Sequence, residues 1–455
     1  MTTLDPTTWP SPTGLAAVLD DALRTSDGPA ARPPLTYLRR KPQRGMVAVY
    51  GSPGRGREMY TVSVDETAMS AVPTGTVDLG AGRWAGVEGG DADLYEVPAL
   101  GVTIERFPHD GKLHHLALAM TPTEGGALWR ALQAACTGTL RSVEASALRY
   151  KPGDRCVIRY DLHSDGTGAG RAQTSVVGKL YGDAEQAREA HELMVRLWDL
   201  QGEQPWAPRP LGVAEPLPLV LAEDLGDARS STPTLAGTEV IRFGRRQPVE
   251  ALERAARALA ELHTSPAVLP PAPARTGAQE AGKAAKRAAT LGRHVPELAE
   301  QAALVARALG EALEQEPCEQ LVPSHGSYKP SQLLFREGAV FVVDFDQFCH
   351  ADAALDVGYF LAYLRPPSLW YHREGTRRWF EEAAATFVRA YDAHLAERGV
   401  EAGVRAGIER RSHLYEAALL LKVAARRANR LHSPRPGEVR ALLDEMRRCV
   451  AAAGH

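Results

Sequence analysis

Little in this sequence stands in excess. Lys and Arg total 53 and Asp and Glu 56, for a formal net charge of −3. So small an imbalance excludes a chain-wide electrostatic grip on nucleic acid or on an anionic membrane, and neither is expected as a partner. No apolar run approaches the ~20 residues that span a bilayer. The opening stretch "MTTLDPTTWPSPTG" has no basic segment and no apolar core, so it does not read as a signal peptide. The five cysteines, Cys136, Cys156, Cys318, Cys349 and Cys449, are odd in number, scattered and without metal-ligand spacing. That excludes a disulfide framework and suits free thiols in a reducing compartment. A cytoplasmic location is expected. The turn Gly51–Gly56 lacks the Lys-Ser/Thr of a P-loop, so it reads first as a hairpin loop and second as an anion site.

What is present is a composition 44% hydrophobic and 24% charged over 455 residues. That is ample for real cores, and roughly two to four domains' worth of length. The first 139 residues read as a mixed α+β domain: "MVAVYG" and "MYTVSV" are strands, "EGGALWRALQAAC" a helix. "LRRKPQRGMVAVY" (Leu38–Tyr50) resembles "LRYKPGDRCVIRY" (Leu148–Tyr160). Either a decayed internal copy or a recurring hairpin grammar explains the echo. From residue 140 the pattern is strand, turn "KPGDR", strand, loop, strand and acidic-start helix, then the buried strand "LPLVLAEDLGD". Helices follow from 226 to 455. The boundaries expected are therefore 1–139, 140–225 and 226–455, an α+β layout. "LPPAPARTG" reads as a surface loop.

Lys179 ends a strand, "VVGKLY", in a sheet whose first turn is Lys151–Arg155. A lysine there can reach the phosphates of a nucleotide lying under that turn. Glu185 and Glu189 share one face of the next helix, and either can hold Lys179 by an ion pair. Downstream lie "HGSYKPSQLLF" (His325–Phe335) and "VFVVDFDQF" (Val340–Phe348). Asp344 and Asp346, two apart, share one side if the backbone is extended. Two carboxylates ending an apolar strand call for a cation or donors, and Mg²⁺ with nucleotide phosphates suits them; a β-hairpin with an acidic exit is the other reading. Gln332 can add an amide oxygen.

These stretches together resemble the aminoglycoside phosphotransferase superfamily, which includes choline, homoserine and maltose kinases. The family's catalytic loop is His-Gly-Asp, four residues, then Asn. Here His325 and Gly326 match, Ser327 stands for the Asp and Gln332 for the Asn. The metal-binding Asp maps onto Asp344, the helix-opening acid onto Asp356 in "LDVGYFLAYL", the strand lysine onto Lys179, and the hinge onto "LVLAEDLGD". The helix ending in Leu-His maps onto "ALAELH", at His263. The resemblance covers about residues 140–455 and implies a bilobal protein kinase-like fold preceded by an extra α+β domain. It implies ATP (or GTP) and Mg²⁺ as cofactors. The adenine is expected near Glu223–Leu225, and the phosphates under Lys151 and Arg155 with Lys179, which Glu189 holds. The metal is expected on Asp344, aided by Gln332 and Asp346. His325 and Asp356 support the loop.

Serine in place of the base is the severe departure, since its hydroxyl is no base near neutral pH. General-base help is worth ~10²–10⁴-fold. Asp346 acting through a water, or an acidic acceptor, can restore turnover. Tyr328 and Lys329 read as solvent-facing loop residues first and as donors to the acceptor second. Three readings stay open. The first is a phosphotransferase acting on a hydroxyl of a small molecule or peptide. The second is a pseudokinase that binds nucleotide or a partner. The third is a kinase-like subunit acting on Ser/Thr of a precursor peptide. Residues 1–139 are a candidate surface for a partner protein. The basic face of Lys422, Arg426, Arg427 and Arg430 reads first as solvated or paired internally with the acidic loop, and second as a contact for an anionic substrate, a nucleotide phosphate or an acidic peptide. Trp370, Tyr371 and Trp379 read as core first and as lining of the acceptor pocket second.

Overall fold

The computed structural model describes the chain except residues 1–2, 5–10, 26–27, 30, 42–44, 53–57, 66, 68–76, 79–82, 87–91, 137, 166–170, 202–204, 227–240, 242–248, 266–269, 319, 337–338, 367–368, 370–371 and 429–435. The turn Gly51–Gly56, Trp370, Tyr371 and Arg430 thus fall wholly or largely outside the described residues. Two compact units form, one mainly from Met1–His191 and Pro210–Asp224, the other from Glu192–Arg209, Leu225–Asn429 and Ser433–His455. No helix among the described residues is long and apolar enough to cross a membrane.

The first unit holds two antiparallel sheets. Helix α1 (Pro12–Ala22) is N-capped by Ser11, whose Oγ accepts from Gly14 N. It packs Leu15, Val18 and Leu19 on the first sheet. That sheet comprises β1 (Leu35–Lys41), β2 (Gly45–Tyr50), β3 (Tyr60–Val64), β4 (Arg83–Gly86), β5 (Ala92–Val97) and β6 (Val102–Arg106), in the order β1-β2-β3-β6-β5-β4. Helices α2 (Leu116–Met120) and α3 (Ala127–Ala134) follow. The second sheet comprises β7 (Thr139–Lys151), β8 (Arg155–Asp165) and β9 (Arg171–Leu180), then, after helix α4 (Ala184–Asp199), β10 (Pro210–Val213) and β11 (Leu219–Glu223). Its order is β7-β8-β9-β11-β10.

The sequence echo is therefore a structural one. In each sheet three strands meander and the later strands, three in the first and two in the second, return with their order reversed. Lys41 pairs with Gly45 as Lys151 pairs with Arg155. Met46, Ala48 and Tyr50 are buried as Cys156, Ile158 and Tyr160 are.

The two sheets have separate cores, and the division between them does not fall at residue 139. Leu113, Leu116, Ala119, Leu128 and Leu132 pack with Ile158, Tyr160, Leu162, Val176 and Leu221 of the second sheet. Alternation along β8 and β9 explains this: every second residue is apolar, so one whole face needs a cover. α2 and α3 supply it. Tyr160 Oη closes the contact by donating to Ala119 O at 2.8 Å.

The second unit is helical around short strands. Its elements are α5 (Val249–His263), β12 (Ala274–Arg275), α6 (Gly277–His294), α7 (Ala299–Gln315), β13 (Val322–Ser324), β14 (Leu333–Arg336), β15 (Ala339–Val342), β16 (Cys349–Ala351), α8 (Ala354–Leu364), α9 (Thr376–Glu397), α10 (Ala402–Ala428) and α11 (Pro436–Ala452). α6 opens with a capping box of Thr276 and Gln279. The break between α6 and α7 comes at Val295–Leu298; Gly292 stays inside α6. The expected surface loop "LPPAPARTG" is not wholly loop: Ala274 and Arg275 pair in parallel with His350 and Ala351. α8 is buried along nearly its full length. Trp379 is in the helical core, its first reading. Arg365 lies buried between Glu416 and Glu445, at 2.6 and 2.5 Å.

Candidate active site

In the first unit, Lys179 lies opposite Val157 on β9, alternating with buried Val176, Gly178 and Leu180. It is half-buried, with Nζ 5.3 Å from the centroid of the Tyr181 ring. α4 buries Ala187, Leu193 and Leu197, which turns Glu185 and Glu189 to solvent. No ion pair joins Glu189 to Lys179 among the described residues; the ring of Tyr181 is one group beside the ammonium.

The turn between β7 and β8 is held from outside its own hairpin. Gly153, at φ 65°, donates its N–H to Asp110 Oδ2 at 2.7 Å, and Tyr150 Oη donates to the same oxygen at 2.7 Å. Asp110 Oδ1 accepts from Lys112 N and Leu113 N at 2.9 and 3.0 Å. Burial first, then the Asp110 charge, pushes the Tyr150 hydroxyl far above its ordinary range. Lys151 pairs with Asp154 across the turn, and Arg155 is half-buried. The Lys151 ammonium, expected to face phosphate, is thus engaged within the unit. Asp110 escaped the sequence reading; its signal is the Asp-Gly-Lys turn.

At the end of β11, Glu223 pairs with Val176 and is half-buried, while Leu225 beyond it is buried. Asp224 between them meets Arg159, Nε to Oδ2 at 3.1 Å. Arg159 also donates to Asp161 Oδ1 at 3.0 Å and to Ser175 Oγ at 2.9 Å. By alternation Arg159 shares the face of Lys179. The charges in "CVIRYDL" were the readable sign of this cluster.

In the second unit the loop from His325 to Gln332 joins β13 to β14. Gly326 sits at φ 72°, and a Cβ there would collide with the backbone oxygen of Gln347, so only glycine fits. Its carbonyl accepts from Arg275 Nη1 at 2.7 Å. Asp356, fully buried at the start of α8, accepts His325 N at 2.6 Å on Oδ2 and Tyr328 N at 3.3 Å on Oδ1. His263 Nε2 lies 3.4 Å from Oδ2, and its Nδ1 lies 2.6 Å from Tyr391 Oη. Burial raises the Asp356 pKa, but the His263 hydrogen bond and charge and the Tyr328 N–H outweigh it and hold the group below the usual range.

His325 Nε2 lies 3.1 Å from Val343 O. A carbonyl only accepts, so Nε2 carries the proton and Nδ1 the lone pair. Burial holds the imidazole pKa below its ordinary value. Ser327 Oγ is 3.5 Å from that Nδ1. Gln332 Nε2 donates to Ser327 Oγ at 3.2 Å and to Asp344 Oδ2 at 3.1 Å. Its Oε1 is buried with no hydrogen-bond partner. Tyr328 is wholly buried and donates to Ala255 O at 2.7 Å, so it does not face solvent or an acceptor. Lys329 is half-buried, with Nζ over the ring of Tyr363.

The extended geometry expected for Asp344 and Asp346 does not occur. β15 ends at Val342, and Asp344 adopts φ 71°. A non-glycine residue held there is strained, and such strain gathers at functional sites. Asp346 enters the following turn, half-buried. The described residues contain no group of three or more His, Cys, Asp and Glu side chains that would form a protein-built metal cage. Mg²⁺ needs none, taking one or two carboxylates with waters and phosphate oxygens. The donor set fits it: a carboxylate on Asp344 and a buried amide oxygen without a partner on Gln332.

The model of the phosphotransferase enzyme family, to which aminoglycoside phosphotransferases belong, matches residues 167–403, more than half of the chain. The chain belongs to that family. Its fold is the α+β, bilobal protein kinase-like one, with a strand-rich and a helical unit. The matched span holds Lys179 and the whole loop with Ser327, Gln332 and Asp344. Among solved structures, a glucosamine kinase is 18% identical over 95% of this chain and 96% of its own, with a TM-score of 0.46. A choline/ethanolamine kinase family protein from Mesorhizobium loti is 18% identical over 71% and 93%, TM-score 0.39. An ADP-bound aminoglycoside phosphotransferase is 11% identical over 72% and 99%, TM-score 0.44. No curated protein matches the sequence.

Proposed function

We propose that this phosphotransferase moves the γ-phosphoryl group of ATP (or GTP) to a hydroxyl of a small molecule, with Ser327 and His325 together handling the proton that a carboxylate takes elsewhere in the family. The supporting observation is the hydrogen-bonded chain Asp344–Gln332–Ser327, continued at 3.5 Å to a histidine nitrogen whose lone pair is free of the carbonyl contact. The acceptor oxygen bonds to the γ-phosphorus, and the bond from phosphorus to the β–γ bridging oxygen breaks. The acceptor's proton passes to Ser327 Oγ as the serine's own passes to His325 Nδ1, and ADP departs. Phosphoryl transfer runs through a loose transition state, so the proton leaves late and a weak base suffices. Asp344 and Gln332 would hold Mg²⁺, which supplies charge neutralisation on the phosphate oxygens when bound. Lys179 is assigned to the nucleotide phosphates and Glu223–Leu225 to the base.

One contact favours a second reading, a nucleotide-binding regulator without transfer. The Gln332 amide N–H occupies the Asp344 oxygen that a metal would take. Thermal melting with nucleotide and Mg²⁺, beside a transfer assay, separates the two. Nucleotide is expected to raise the melting temperature, and Asp344→Ala to abolish the rise. Ser327→Ala is expected to keep the rise but lose about 10²-fold in transfer, within the range of general-base effects. Protection without transfer in the wild type would leave the regulator. A wild type that nucleotide does not protect would remove both readings.

A further inference from the structure

A group of cations gathers beside the catalytic loop, and two of them, Lys422 and Arg426, meet tyrosines and no carboxylate among the described residues. Tyr359 and Tyr363 lie one turn apart on α8, their rings parallel within 7° and 6.1 Å apart. Lys422 of α10 donates Nζ to Tyr359 Oη at 2.6 Å and lies 4.9 Å from that ring's centroid. Arg275 of β12 is 5.5 Å from the same ring while its Nη1 holds Gly326 O. Arg426 Nη1 donates to Tyr363 Oη at 3.3 Å, and Lys329, two residues past Ser327, has Nζ 5.6 Å from the Tyr363 centroid. Arg287 of α6 completes the wall, donating to Ala418 O at 3.1 Å.

Against Arg275, Arg287, Lys422 and Arg426 stands the buried carboxylate of Glu280. Arg275 and Lys283 both meet it at 2.7 Å, and Arg287 lies 3.8 Å away. Lys422 and Arg426 have no carboxylate partner among the described residues; their partners are tyrosine hydroxyls and rings. The other basic residues of the α10 face separate from the group: Arg427 pairs with Glu438 at 2.5 Å, and Arg430 lies outside the described residues. Burial, then the charges of Arg426, Arg287 and Arg275, push Lys422 down to about 7, against the charge of Glu280. A half-buried ammonium repelled by three guanidiniums is costly to keep unless something negative meets it.

We infer that Lys422 and Arg426, set on the Tyr359–Tyr363 pair, bind an oxyanion group of the acceptor, a phosphate or a carboxylate, so that the acceptor whose hydroxyl meets Ser327 is an anionic small molecule. This rests on the phosphotransferase reading for the word acceptor; the anion site itself does not. The exposed guanidinium of Arg426 opens the group to solvent, and the two half-buried lysines give it depth. Tyrosine hydroxyls and a ring face hold Lys422 and Arg426 in place without neutralising them, the arrangement an incoming anion needs. Arg275 ties the site to the chemistry, since one guanidinium touches both the Tyr359 ring and the carbonyl of Gly326.

The test is titration of the full chain with inorganic phosphate and, separately, with acetate. It is followed by calorimetry and by melting at matched ionic strength, for the wild type, Lys422→Met, Arg426→Gln and Asp344→Ala. Phosphate or acetate is expected to bind the wild type, and each of the two cation variants to weaken that binding about tenfold, the loss of one charge-assisted hydrogen bond. Asp344→Ala is expected to leave anion binding unchanged. Preference for phosphate or for acetate tells which group the acceptor carries; either supports the site. Lys422→Met is also expected to melt no lower than the wild type without anion, because it removes a desolvated charge and keeps the stem. A lysine serving structure alone would instead cost stability and leave anion binding untouched. No anion binding in the wild type, or binding lost in Asp344→Ala and kept in the cation variants, overturns the inference. Nucleotide protection is read in the same melts, so failure of the kinase reading is seen separately.

Discussion

Removal of residues 1–139 is expected to leave an insoluble polypeptide, whereas removal of 1–106 leaves a soluble one. The longer deletion takes away Leu113, Leu116, Leu128 and Leu132 and uncovers Ile158, Tyr160, Leu162, Val176, Leu180 and Leu221 on one sheet face. At about 1.5–3 kcal/mol for each large apolar side chain, the removed leucines alone account for on the order of 10 kcal/mol. That rivals the ~5–15 kcal/mol of a whole domain. The exposed face would also be a contiguous apolar patch of the kind that drives aggregation. Two polar anchors go with it: Asp110, which accepts from Gly153 N and Tyr150 Oη, and the Ala119 carbonyl under Tyr160. The shorter deletion keeps all of these. Its loss is the first sheet, whose core of Leu15, Met46, Val62 and Ile104 is its own. Soluble yield and a cooperative melt check both products. A soluble, folded product lacking 1–139 would mean that α2 and α3 are not the cover the second sheet depends on.

This boundary shows what single-sequence reading reaches. The strands β2 and β3 and then β7, β8 and β9 were legible because alternation and the Lys-Pro turns are local signals; β4, β5 and β6 were not read. Ownership of α3 was not, because an amphipathic helix records that it has an apolar face but not which sheet meets it. Ser327, Gln332 and Asp344 were legible as one loop, and their spacing brings them into one hydrogen-bonded chain. The left-handed backbone of Asp344 was not legible, since nothing in "VVDFDQF" forbids a strand. Arg275 was hidden in a stretch rich in Pro and Ala, where composition says loop and only tertiary pairing with β16 shows the guanidinium holding Gly326. Tyr328 looked like a loop residue; its donation to Ala255 O depends on α5, more than 70 positions away in sequence.

Asp356→Asn is expected to disable the loop and destabilise the helical unit together. The carboxylate accepts two backbone N–H groups, from His325 and Tyr328, and lies beside His263 Nε2. Asparagine keeps one acceptor oxygen and turns an NH₂ toward a donor, leaving a buried N–H without a partner in a site closed to water. Breaking a buried charged contact of this kind costs about 3–5 kcal/mol. Moving His325 and Ser327 out of register is expected to lower transfer by ~10² or more, since reacting groups displaced by about 1 Å lose that much. The pH dependence of the gap identifies the carboxylate. The folded-state pKa of Asp356 lies below its ordinary 3.8, so its stabilisation is fully present above that value and is lost as pH falls through the folded one. Urea unfolding of wild type and variant should therefore differ by the same amount at neutral and at mildly acidic pH. The two should converge only in acid, where the wild type takes up the proton as well. A gap under about 1 kcal/mol at neutral pH, the worth of an ordinary surface contact, or a gap that widens in acid, would remove Asp356 as the support of the catalytic loop.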